Sequence, residues 1–126
     1  MYFFSSWGLV FLAGFIDVVA ILVIKSRLNQ LGPISYENVT VIFNYCIDVI
    51  KTPQTFISVL LIFISPLLYG FALSRINLST AYPVLIGFST LCLIFFSNVY
   101  LKETITINAI IGSIFILIGI AIIYLK

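Results

Sequence analysis

Polar positions thin out in four long runs along the chain, at residues 6–24, 54–73, 78–101 and 105–125, and gather between them. None of these runs alternates polar and apolar residues over the roughly ten positions that a lipid-facing barrel strand needs. Each is instead close to the roughly 20 mostly apolar residues that carry an α-helix across about 30 Å of hydrocarbon. A helix also satisfies its backbone N–H and C=O groups internally, as a bilayer interior demands. The pattern predicts an all-α membrane protein with a single domain over residues 1–126, built as a four-transmembrane-helix bundle.

The one long connection, residues 26–53, opens with "SRLNQLGPIS", where Gly32-Pro33 marks a turn. It continues as "YENVTVIFNYCIDVIK". Here Val39, Ile42, Phe43, Cys46, Val49 and Ile50 recur at helical spacing, and Glu37, Asn44, Asp48 and Lys51 fall elsewhere around the wheel. With Pro53 closing it, this segment predicts an amphipathic helix over 36–51, between spans one and two and lying in the headgroup layer. It serves either as a surface connector or as a gate for substrate or lipid. "SRINLS" and "KETIT" are short, so the spans they join are expected to be antiparallel neighbours. Pro66 and Pro83 fall inside spans two and three, where each removes a backbone donor and marks either a static bend or a moving part.

Composition agrees with this reading: 63% of the residues are hydrophobic and 8% charged, against about half and about a quarter in a soluble domain. The net charge of +2 is dispersed, so no nucleic-acid partner is expected. Lys25, Arg27, Lys51 and Lys102 share one side of the membrane and Arg75 and Lys126 the other, which weakly favours both termini outside. So small a bias also permits insertion in both orientations. "MYFFSSWG" lacks a basic leading region, and no cleavable signal peptide is expected. Cys46 lies in the connection and Cys92 in mid-span, as packing residues rather than a disulfide, and without histidine they predict no metal site. No nucleophile beside a base and no phosphate-cradling glycine loop occurs, so neither an enzyme nor a cofactor is expected.

Against this background one residue stands out. Asp17 sits about midway along span one, where an ionised Asp costs about 2.5–3.5 kcal/mol. Hydrocarbon disfavours the charged form of a carboxyl, so an acid at this depth is suited to take up a proton or a cation. The competing role is that of a hydrogen-bonded link to a neighbouring helix. In span three, "LSTAYPVLIGFST" supplies Tyr82, either a cation-contacting aromatic or an interface anchor, and Gly87, either a packing or a flexing point. In span four, Ala109, Gly112, Ile116 and Gly119 form a stripe that favours close helix association, within or between protomers.

An acid in the first span, "LSTAYPVLIGF" in the third and "AIIGSIFILIGI" in the fourth together resemble the small multidrug resistance family of the drug/metabolite transporter (EamA-like) superfamily. In that family the acid lies eight residues before a lysine, as Asp17 does before Lys25. The resemblance implies a proton-coupled exporter of a cationic or amphipathic small molecule, multi-pass in a bacterial cytoplasmic membrane. It further implies a homodimer, or a heterodimer with a paralogue, commonly of oppositely inserted copies. Asp17 would be the shared proton and substrate site and Tyr82 a substrate contact. Gly87, beside Pro83, would be the hinge, and the stripe from Ala109 to Gly119 the dimer interface. Leu85 stands where that family usually has Trp, and "AYPVL" also resembles the small subunits that flip an undecaprenyl-phosphate-linked aminosugar. A third expectation, from the residues alone, is a non-transporting membrane assembly subunit.

Overall fold

The computed structural model of the protein describes residues 2–34, 36 and 38–125. They form α1 (Tyr2–Leu31), α2 (Val39–Ile50), α3 (Pro53–Leu73), α4 (Leu78–Leu101) and α5 (Ile107–Tyr124). Three of these, α1 over Ser6–Leu31 together with α3 and α4, are long and apolar enough to cross a membrane. The chain is thus an all-α protein of membrane type.

The second and third expected spans coincide with α3 and α4 almost residue for residue. The first does not. Hydropathy falls at residue 24, yet α1 runs on to Leu31, because Ser26, Arg27, Asn29 and Gln30 are polar without being helix breakers. Gly32 stops it with φ of 80°, a left-handed conformation that glycine adopts freely, and its N–H bonds back to the Leu28 carbonyl at 3.0 Å. At about 1.5 Å per residue α1 is about 45 Å long, which matches a bilayer of about 40–45 Å with its headgroups. α5, with 18 residues, reaches only about 27 Å. It is shorter than the other three, and among the described residues three helices, not four, reach full spanning length.

The expected four-helix bundle is also corrected in its packing. α1 is the central element, and α3 and α4 each pack far more extensively on it than on one another, although only a short turn joins them. α5 lies outside this trio and packs chiefly on α4. The reason lies in which side chains are turned inward. On α3 the buried residues are Thr55, Ser58, Ser65 and Ala72, all on the α1 side, while Phe56, Phe63, Leu67 and Phe71 point outward. In lipid, small side chains let backbones approach, and nothing is gained by hiding large apolar ones from an apolar solvent. One compact apolar cluster, Trp7, Val10, Ala72 and Val84, closes the bundle where α3 turns into α4.

The headgroup helix forms over Val39–Ile50 within the expected 36–51, but its face differs from the expectation. Ile42, Tyr45 and Val49 are half-buried against the bundle, while Val39, Phe43, Cys46, Ile47 and Ile50 are exposed. Specific bonds set this rotation. Tyr45 Oη donates to the Gly32 carbonyl at 2.7 Å, Arg27 Nη2 to that of Asp48 at 3.3 Å, and Thr55 Oγ1 to that of Val49 at 2.6 Å. The last two supply donors to carbonyls at the C-terminal end of α2, which has none of its own to offer them.

Candidate functional site

α1 meets its two neighbours through adjacent residues. Ser65 Oγ on α3 donates to the Ala13 carbonyl at 3.1 Å, and Ser89 Oγ on α4 donates to the Gly14 carbonyl at 3.5 Å. Gly14 permits the second approach: a Cβ there would stand 2.8 Å from Ser89 Oγ, 3.1 Å from Phe88 Cδ1 and 3.2 Å from Leu85 Cδ1. Asp17 follows Ala13 by four residues and Gly14 by three. On a helix these spacings put it directly beyond both contacts, on the strip of α1 between α3 and α4.

The same strip carries Val10 one step lower and Ile21 one step higher. Val10 is fully buried, whereas Ile21 is 44% exposed. The cleft between α3 and α4 is therefore sealed at the Trp7–Val10 end and open at the Ile21 end, and Asp17, half-buried, stands at its throat. Its carboxylate makes no hydrogen bond or ion pair among the described residues. The link-to-a-neighbour role falls instead to Ser65 and Ser89, one turn earlier.

Tyr82 lies elsewhere. Ring contacts of Phe11 with Phe88 (5.0 Å between centroids) and of Phe15 with Phe96 (6.2 Å) show that α1 and α4 run parallel. Since Gly14 is level with Leu85 to Ser89, Tyr82 falls below that level and Asp17 above it, about 12 Å apart along the axis at about 1.5 Å per residue. Tyr82 is also 53% exposed, on the sealed end. One chain does not bring Asp17 and Tyr82 into a single site.

The remaining candidates lie around α4 and α5. Gly87 is buried where α5 comes nearest: a Cβ there would overlap Ile120 Cδ1 and stand 3.1 Å from Ile116 Cγ2. α4 continues unbroken through half-buried Pro83. Of the stripe, Ala109, Ile116 and Gly119 are half-buried and Gly112 is exposed; Ile116 is turned toward Gly87 of its own chain. Cys46 is exposed on α2, Cys92 is half-buried on α4, and both thiols are free.

The residues that build the throat, Gly14, Ser65 and Ser89, are marked out by neither charge nor motif in the sequence. A signal was present in Ser58, Ser65 and Ala72, which recur every seven residues in span two, as a packing seam does. No family model, curated protein or solved structure matches the chain, so a functional reading rests on the chemistry of this cleft.

Proposed function

We propose that the protein is a small membrane transporter in which Asp17 takes up a proton and a cationic or amphipathic guest in alternation, in the manner of the small multidrug resistance family. The observation that carries this reading is the half-buried carboxylate, without a partner among the described residues, at the throat of a one-sided cleft. When a cation enters, the proton leaves Asp17 for the aqueous side, and the carboxylate exchanges one neutralising partner for another. The charge is never left bare in hydrocarbon, where it costs most.

The working unit in this proposal is a dimer, either of two copies or with a paralogue, with α5 completing a fourth crossing. A second copy accounts for the short α5 and for the open approach to Gly112. It also gives the distant Tyr82 a route to the Asp17 of the other copy. Gly87 and Pro83 are the positions at which α4 flexes between states.

The test is a binding titration of the purified protein in liposomes with tetraphenylphosphonium as the cationic probe. Affinity should fall as pH is lowered, because protons compete for Asp17. Asp17→Asn should weaken binding by about tenfold or more, equivalent to about 1.4 kcal/mol or more, and abolish its pH dependence. Unchanged binding in Asp17→Asn would remove the proposal.

A further inference from the structure

A second concavity lies on the opposite flank of α1, away from Asp17. It has a volume of about 400 Å³, within the size of small-molecule sites, and is formed by the C-terminal half of α1, the start of α3 and Tyr100 of α4. Its two walls grade in the same direction. Val19 on α1 and Leu61 on α3 lie toward the span, while Gln30 on α1 and Gln54 on α3 lie toward the headgroup layer. Arg27 is the one charged side chain in the lining, which contains no carboxylate.

The state of Arg27 points to what belongs there. Its Nη1 donates to Gln30 Oε1 at 3.2 Å and its Nη2 to the Asp48 carbonyl at 3.3 Å, both uncharged acceptors. The nearby carboxylate of Asp48 is engaged with Lys51 at 3.3 Å instead. Nε is buried without an acceptor. A guanidinium carries five donors, so this one is a positive charge with no ion pair among the described residues and with bonding capacity to spare. Snorkelling alone would bring the whole Arg head to water; here the residue is half-buried, its Nε shut off from solvent, beside a cavity with apolar depth and a polar mouth.

We propose that this cavity holds one anionic phospholipid, its phosphate on Arg27 with Gln30 and Gln54 beside it and the start of an acyl chain along Val19 and Leu61. Basic pockets between transmembrane helices bind anionic headgroups in this manner, and Arg matches phosphate through paired N–H donors. Because Arg27 also holds the C-terminal end of α2, the lipid ties the headgroup helix to the bundle. The assignment is independent of the Asp17 proposal.

The test is native mass spectrometry of the full chain released from micelles doped with equal amounts of phosphatidylglycerol and phosphatidylcholine. One phosphatidylglycerol should be retained in preference to phosphatidylcholine by tenfold or so, about 1.4 kcal/mol, and Asp17→Asn should retain it equally. Arg27→Gln should abolish the preference. Val23→Phe, which fills the cavity from its apolar wall and keeps the guanidinium in the chain, should release the lipid from a chain whose helical circular dichroism is unchanged. Equal retention of the two lipids by the native chain overturns the proposal, whatever the variants do. Displacement of the lipid by millimolar inorganic phosphate would assign the site to soluble phosphate and overturn the lipid assignment.

Discussion

Gly14→Ala is the substitution that most directly probes how the throat is built. The new methyl would meet three different side chains at 2.8–3.2 Å, namely Ser89 Oγ, Phe88 Cδ1 and Leu85 Cδ1, all on α4. Each of these side chains has to give way, or α4 has to move outward, before the methyl fits. Overpacking of this kind costs about 1–3 kcal/mol, and the long Ser89 bond to the Gly14 carbonyl is lost with it, worth about 0.6 kcal/mol in a bilayer. Gly70→Ala is the matched control, because a Cβ on Gly70 meets nothing within 4 Å. The helix-propensity gain of Gly→Ala is common to both and cancels. Gly14→Ala should therefore be less stable than Gly70→Ala by about 1–3 kcal/mol. The assay is SDS titration in mixed micelles followed by fluorescence of Trp7, the one tryptophan in the chain and a member of the cluster that closes the bundle. Coincident unfolding curves for the two variants would refute the close approach of α1 and α4 and, with it, the placement of Asp17.

Three further outcomes follow from the same geometry. Ser65→Ala leaves the Ala13 carbonyl with one bond fewer and should cost about 0.5–1.5 kcal/mol in the same titration. Thr55→Val keeps the shape but removes the donor to the Val49 carbonyl, so amide exchange across α2 should quicken while that of α3 and α4 holds, as read by hydrogen-exchange mass spectrometry. In liposomes a membrane-impermeant maleimide should label exposed Cys46 and spare Cys92; labelling of Cys92 would place the middle of α4 in water.

Length and hydropathy alone locate α3 and α4, because each run is bounded by residues that also end a helix: Pro53 and Ser74 around one, Asn77 and Lys102 around the other. They misplace the end of α1, since hydropathy reports where lipid stops and helices end where backbone geometry fails, at Gly32. They place span four within two residues of α5, whose start is set by the connection "KETIT" staying non-helical until Thr106 caps the helix by accepting from the Ala109 N–H at 3.3 Å. Asp17 is legible as an unusual residue, but the cleft around it is not. That cleft depends on Gly14 and on two serines that lie 52 and 75 positions from the carbonyls they bind, which an average over apolar windows erases. The face of α2 is set by hydrogen bonds from α1 and α3, and no periodicity within 36–51 encodes those partners.

The arrangement of α3, with hydroxyls and alanine inward and phenylalanines outward, makes the surrounding medium part of the fold's definition. Placed in water, the same helix would gain more by turning its back, since hiding one Phe from water is worth about 1.5–3 kcal/mol and hiding a Ser almost nothing. A water-soluble derivative therefore cannot be made by repainting the exterior with charge; bulk would have to be moved across the helix axis, residue by residue, until the present inside had become the outside.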